Sequence, residues 1–195
     1  MEYRLNKKDL LDTLGMWNSF LKKKVHLIAC GGTALTLLDI KASTKDVDFI
    51  VPVEAEYDYL MKILPQLGYR QTTGSGWAKA GELYIYDLFR GKKVHTTELL
   101  ESPLEKEGHI LLKELTRIYI GVLNHYDLVI TKLFRSTSVD IDDCLSLIRA
   151  RRSQIDIKQL CARFKETAKY DVSEDKLLRN LGHFLEILKK VGIYG

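Results

Sequence analysis

The amino-acid sequence predicts an α/β fold, in which a small mixed β-sheet is flanked by helices and followed by a helical subdomain. Short apolar runs with strand character alternate with helical periodicity up to residue 123, whereas only helical periodicity follows from Asn124 onward. The 195 residues suit one domain with a sizeable appendage, at ~150 residues per domain. We therefore expect a core over 1–123 and a helical subdomain over 124–195 that closes one side of a cleft.

The first third of the chain predicts alternating helices and strands. Apolar residues recur at helical spacing from Leu10 to Leu21, and the Val/Ile-containing apolar run after them ends at Gly31 and Gly32, as a buried strand would. Gly68 is a typical helix terminator. In order, we expect a helix over 6–24, a strand over 25–30, a helix over 33–40, a strand over 47–53 and a helix over 54–67.

Further along, strand signals give way to helices. Tyr, Trp and Thr alternate between glycine-containing turns, which predicts strands near 69–72, 77–80 and 83–89. Residues 94–116 have no clear assignment, and 117–123 again has strand composition. Polar residues suited to helix N-caps precede the last four periodic segments. We expect helices near 125–136, 140–151, 156–168 and 174–190, with Asn124, Asp140, Asp156 and Ser173 at their starts.

Composition limits the class of protein. The hydrophobic fraction of 46% and charged fraction of 29% are ordinary for a globular chain and exclude a disordered or fibrous protein. No window reaches the ~18 apolar residues of a membrane helix, and the charged start lacks an apolar signal core. Three cysteines without CxxC spacing predict reduced thiols in a cytoplasmic protein. The net charge of +4 permits anionic partners such as nucleotides or RNA.

Gly31, Gly32 and Thr33 lie between a predicted buried strand and a predicted helix. Two glycines let the backbone approach a ligand without an intervening Cβ, and a helix start offers free N–H groups to an anion. Thr33 adds a hydroxyl to the same place. The segment therefore predicts a phosphate cradle, although a tight strand–helix turn without ligand explains it equally well. It matches neither the dinucleotide fingerprint nor the Walker loop.

Three aspartates form the second pattern. Asp46 and Asp48 are two residues apart at the start of a strand, so their side chains share one face of the sheet. Their mutual repulsion would be offset by a bound divalent cation, or by water if they are solvated acids at a strand start. Asp87 lies within the apolar run LYIYDLF, where a lone buried carboxylate is costly unless it is paired or bound to metal.

Together these segments resemble the DNA-polymerase-β-type nucleotidyltransferase superfamily. The resemblance lies in the order Gly31-Gly32, a gap of similar length, then Asp46-Val47-Asp48. The run from Lys41 through Thr44 to Asp48 is similar to the pattern of small bacterial and archaeal nucleotidyltransferases related to the AbiEii toxin, with lysine where arginine is usual. The segment around Lys132 resembles their helical motif, but Val139 precedes Asp140 where that motif has lysine.

The resemblance implies a nucleotidyltransferase-type fold and a metal-dependent reaction. Mg²⁺ or Mn²⁺ would be held by Asp46, Asp48 and Asp87, which would be the catalytic residues. A nucleoside monophosphate would pass from an NTP to the hydroxyl of an RNA or tRNA, a protein or a small molecule. A toxin–antitoxin role with a cognate partner protein is also implied. The residues implied to bind the nucleotide are Gly31, Gly32, Thr33, Lys41, Thr44 and Lys132.

A second hypothesis is a module of the same fold that binds nucleotide or protein without turnover. Three retained aspartates favour activity, whereas Val139 in place of lysine favours the inactive module. A plain scaffold without ligand is a third reading. We expect Asp87 on the same side of the sheet as Asp46, and its location on the far side would overturn the first two hypotheses.

Overall fold

The computed structural model describes residues 4–72 and 74–194. It contains seven α-helices and nine β-strands within these ranges. The helices are α1 (Lys7–Phe20), α2 (Gly31–Leu37), α3 (Glu54–Ile63), α4 (His125–Arg135), α5 (Ser138–Ala150), α6 (Ile157–Ala168) and α7 (Glu174–Lys190). The strands are β1 (Val25–Ala29), β2 (Val47–Val51), β3 (Tyr69–Gln71), β4 (Gly76–Lys79), β5 (Tyr86–Arg90), β6 (Lys93–Val94), β7 (Thr97–Glu98), β8 (His109–Glu114) and β9 (Ile118–Leu123).

Seven of these strands form one mixed sheet in the order β3-β4-β5-β2-β1-β9-β8. The inner strand β1 runs antiparallel to the central strand β2 and parallel to β9, and β2 runs parallel to β5. β2 is buried along its whole length and β1 and β9 nearly so, as expected for strands that are covered on both faces. The predicted α/β class with a mixed sheet and flanking helices is confirmed.

The C-terminal helices agree closely with the periodicity of the sequence. Asn124 and Asp156 cap α4 and α6 through their side chains, as predicted. The N-cap of α5 is Thr137 rather than Asp140, whose side chain instead completes a capping box from the third helical position. None of the helices in the described part of the chain combines the length and apolar character needed to cross a bilayer.

Four other predicted boundaries require correction. Helix α1 ends at Phe20 and not at 24, and α2 begins at the first glycine, Gly31. The α-helix α3 stops at Ile63, where Pro65 tightens the last turn into a 3₁₀ helix, Leu64–Leu67. Strand β5 begins only at Tyr86. The unassigned residues 94–116 contain a two-stranded hairpin, β6–β7, and the edge strand β8.

Candidate active site

The three predicted aspartates meet at one edge of the sheet. The backbone N–H of Cys30 donates to the carbonyl of Asp48 at 3.1 Å, so the end of β1 lies beside the start of β2. Asp48 is paired in register with Asp87 across the parallel strands β2 and β5. Asp46, Asp48 and Asp87 all line one cleft of about 460 Å³. Asp87 is therefore on the same side of the sheet as the other two, as the sequence predicted.

Gly31 makes room for the carboxylate of Asp48. Its φ is +57°, and a Cβ added there would lie 2.3 Å from Asp48 Oδ2. A Cβ on Gly32 would lie 2.7 Å from Thr44 Oγ1. Both positions require glycine because a side chain approaches their backbone closely. Gly32 lines the cleft, whereas Gly31 does not.

Two threonines hold the backbone that carries the aspartates. The hydroxyl of Thr33 donates to the carbonyl of Asp46 at 3.1 Å and accepts from the backbone N–H of Asp48 at 2.9 Å. Thr44 Oγ1 donates to the same carbonyl at 2.9 Å. The Thr33 side chain is fully buried, so its hydroxyl positions β2 and is not placed for the predicted phosphate contact. Thr44 is buried as well but lines the cleft.

The carboxylates repel one another in a partly desolvated place. Burial first, and then the nearby charge of Asp87, raise the pKa of Asp48 to about 7, while Arg135 opposes the shift. Ser75 Oγ donates to Asp87 Oδ1 at 2.7 Å. A hard divalent cation would relieve this repulsion, and carboxylate oxygens are the ligands that Mg²⁺ prefers. Within residues 4–72 and 74–194, however, no three acidic, His or Cys side chains form a ready-made metal centre.

The raised pKa of Asp48 predicts a pH-dependent stability of the metal-free protein. Because this pKa lies above the value of 3.8 expected for an unshifted Asp, the folded state binds more protons between pH ~4 and ~7. The free energy of unfolding should therefore fall by ~2–4 kcal/mol across that window and level off above it. Urea unfolding at several pH values, in EDTA, measures this. The Asp48→Asn variant should lack the fall, and equal pH profiles for both proteins would contradict the prediction.

The cleft is also lined by cationic side chains. Lys132 is 2% exposed, and its Nζ lies 2.8 Å from Asp143 Oδ2 and 3.6 Å from Asp140 Oδ1. Lys41 Nζ donates to the other oxygen of Asp143 at 2.9 Å. Asp143 therefore joins a lysine of the segment after α2 to one of α4. Both predicted lysines line the cleft, but each is held by a carboxylate.

Several cleft residues were not predicted as site residues. His95, in the turn between β6 and β7, has its Nε2 4.0 Å from Asp48 Oδ1. Arg135, the last residue of α4, donates to His95 Nε2 at 3.0 Å and to Asp140 Oδ1 at 2.7 Å. Burial and then Arg135 lower the pKa of His95. The basic run just before His95 was the only sequence signal near it, and nothing local connects it to Arg135. Arg4, Lys45 and Thr137 also line the cleft.

A second cavity, of about 770 Å³, lies along the same edge of the sheet, beyond β9. Its lining comes from residues between 101 and 110, from the start of α4, and from Gln154, Gln159 and Arg163 in and before α6. On its wall Arg163 forms a two-pronged ion pair with the buried carboxylate of Asp127, at 2.7 and 2.9 Å. His125 is buried beside it, and its Nε2 has no hydrogen-bond partner among the described residues. This cavity contains none of the three aspartates of the cleft.

Comparison with known proteins identifies the family. The family described as "Nucleotidyltransferase of unknown function (DUF6036)" matches residues 18–191. Among solved structures, the lincosamide antibiotic adenylyltransferase LnuA with lincomycin bound is 15% identical, with a TM-score of 0.51, and the match covers 74% of this chain and 98% of that one. ANT(2″)-Ia in complex with adenylyl-2″-tobramycin is 12% identical, with a TM-score of 0.53, covering 83% and 95%.

At these identities the structural neighbours show a shared fold. A search of curated proteins gave no match. The family match covers most of the chain, from the end of α1 to the end of α7. The two glycines, the aspartates of β2 and β5 and the cationic side chains of α4 all lie within it. The chain thus belongs to the nucleotidyltransferase family DUF6036.

Proposed function

We propose that this nucleotidyltransferase is metal-dependent and moves a nucleoside monophosphate from an NTP to an acceptor hydroxyl. The observation that carries the proposal is the cleft itself. Asp46, Asp48 and Asp87 line it, and lysine and arginine side chains line it with them. A metal–triphosphate complex needs both kinds of side chain, because its cation is bound by carboxylates and its phosphates by cationic donors.

In this proposal Asp46, Asp48 and Asp87 hold Mg²⁺ or Mn²⁺. The metal, when bound, neutralises charge on the phosphates and on the attacking and leaving oxygens. The acceptor oxygen forms a bond to the α-phosphorus as the bond to the pyrophosphate oxygen breaks, and Asp87 accepts the proton of the hydroxyl. The side chain of Asp87 is only partly buried and is oriented by Ser75, so an acceptor can reach it.

The acceptor is either an RNA or tRNA, a protein side chain or a small molecule. LnuA is by name a lincosamide antibiotic adenylyltransferase, and the ANT(2″)-Ia structure contains adenylyl-2″-tobramycin, which supports including hydroxyl-bearing small molecules among the acceptors tested. The AbiEii-related subtype, the toxin–antitoxin role and the cognate partner protein remain predictions from the sequence resemblance. The cytoplasmic location also remains a prediction.

Thermal unfolding with excess Mg²⁺ and each of the four NTPs tests the proposal. A ligand at 100 times its dissociation constant adds ~2.7 kcal/mol, which should raise the midpoint by ~5–10 °C for a chain of this size. The rise should require Mg²⁺ and be absent from the Asp46→Asn/Asp48→Asn variant. No rise with any NTP would contradict nucleotide binding by this chain.

A transfer assay distinguishes the active enzyme from an inactive module that binds nucleotide without turnover. The NTP that stabilises the protein is labelled on its α-phosphate and supplied with RNA, protein and small-molecule acceptors. Label in an acceptor together with released pyrophosphate supports the enzyme. Nucleotide binding without label in any acceptor supports the inactive module, which the presence of Val139 at the cleft favours.

A further inference from the structure

The cationic side chains of the cleft differ in how many of their N–H donors are already bound to carboxylates. Lys41 and Lys132 both bind Asp143, and Lys132 is 2% exposed. An ammonium group that is buried against a carboxylate has little freedom to turn toward a ligand. Lys132 is therefore poorly placed to bind the triphosphate, which is the role that the sequence resemblance implied for it.

Arg135 differs from Lys132 in exposure and from Lys41 in its number of donors. Its side chain is 35% exposed, close to the 30% of Lys41, and its guanidinium has five N–H donors against three in an ammonium group. Among the described residues, Nη2 donates to Asp140 Oδ1 and Nη1 contacts His95 Nε2, so donors remain for a ligand. The helix ends directly after it, because Ser136 has a φ of +56°. Arg135 thus presents a planar, partly exposed guanidinium in the lining of the cleft, and this group is held by both His95 and Asp140.

The hairpin turn fixes the place of His95. Its φ is +51°, as the favoured two-residue turns between antiparallel strands require at their first position. The ring packs edge-on against Phe89, with 4.6 Å between ring centroids. Since an arginine side chain can only donate, His95 Nε2 must be the acceptor in this pair.

We propose that Arg135 binds the β- and γ-phosphates of the NTP, and that His95 and Asp140 are positioning residues for its guanidinium. This inference rests on the proposed function and specifies which side chain distinguishes a triphosphate from a monophosphate. A planar fork matches the paired oxygens of a phosphate better than an ammonium group does. Lys132 and Asp143 then serve to hold α4 and α5 in place behind Arg135.

The test compares the binding of MgATP and of AMP by calorimetry, or of the NTP and NMP that thermal unfolding selects. AMP lacks the β- and γ-phosphates, so the proposal predicts at least ~10-fold weaker MgATP binding in Arg135→Gln. AMP binding should change less than ~2-fold. Arg135→Lys should lie between, because it keeps the charge but loses the fork. Arg152→Gln removes one exposed charge after α5 and should leave both affinities unchanged.

The outcomes distinguish this inference from the proposed function. If wild-type protein binds no NTP, the proposed function fails. If wild-type protein binds MgATP and Arg135→Gln binds it equally well, only the inference fails. Equal losses for MgATP and AMP in Arg135→Gln would also overturn it, because they would mean a general effect on the site.

The positioning role of His95 has its own pair of variants. Asparagine tolerates a positive φ and offers a carbonyl oxygen to Arg135, so His95→Asn should retain most of the preference for MgATP over AMP. His95→Ala removes the acceptor and should reduce that preference by ~3-fold or more. If both variants lose the preference equally, or neither does, His95 does not act through Arg135.

Discussion

Replacing Asp46 and Asp48 by asparagine is expected to lower the rate of nucleotidyl transfer at least ~10³-fold while the protein stays folded. Asparagine keeps the shape of each side chain but removes two of the three negative charges that would hold the metal. A loss of ~4 kcal/mol of transition-state stabilisation corresponds to this factor. The measurement is the initial rate of label transfer from the α-labelled NTP that stabilises the wild-type protein.

Two controls accompany this variant: its own stability, and the activity of a variant that loses a different carboxylate. Because Asp48 is 8% exposed and its pKa is raised to about 7, the metal-free variant should be at least as stable as wild type at pH 8. Asp142→Asn changes an exposed carboxylate of α5 and should transfer label at the wild-type rate. Wild-type activity in Asp46→Asn/Asp48→Asn would remove these residues from the reaction.

The second large effect is expected on stability, from Asp143→Ala. This change removes the nearest partner of Lys132, whose ammonium is almost fully buried and, within residues 4–72 and 74–194, would keep only Asp140 as an ion-pair partner, at 3.6 Å. Lys41 loses its partner as well. Removing one member of a buried ion pair typically costs ~3–5 kcal/mol, because the other charge is left without compensation. Urea unfolding at pH 7, with the same m-value fitted for wild type and variant, measures the loss of unfolding free energy.

A double variant shows whether the uncompensated charge is the cause. Lys132→Met/Asp143→Leu removes both charges and keeps apolar volume, so it should recover a large part of the stability that Asp143→Ala loses. Lys8→Met alters an exposed lysine of α1 and should change stability by less than ~0.5 kcal/mol. A loss below ~1 kcal/mol in Asp143→Ala would mean that water already reaches Lys132.

The helices and inner strands could be predicted because each carries its own pattern. The apolar period of α4 to α7 and the short apolar runs of β1, β2 and β9 are local properties of the sequence. The hairpin β6–β7 and the edge strand β8 have weaker patterns. The two hairpin strands have two residues each, so no apolar alternation marks them. β8 has an apolar run of only three residues, 110–112, and it exposes side chains on both faces, so the run is too short to indicate a buried strand.

The residues of the site likewise fall into those that a local pattern predicts and those that are brought together only by the fold. Asp46 and Asp48 could be predicted because the spacing of two residues in a strand fixes their shared face. The pairing of Asp143 with Lys41 joins residues that are 102 positions apart, and the pairing of Arg135 with His95 spans 40 positions. No local pattern encodes such contacts. The need for glycine at position 31 also becomes clear only when Asp48 is in place beside it.

The position of β1 between β2 and β9 has a consequence for folding. Val25 pairs with Ile118, so this inner strand gains its parallel neighbour only after a long stretch of chain has been made. Contacts between residues far apart in sequence form slowly, because a long loop must close first. Asp143 and Arg135 come later still. A growing chain therefore carries its three aspartates without Lys132 and Arg135 until more than two thirds of the 195 residues have been synthesised.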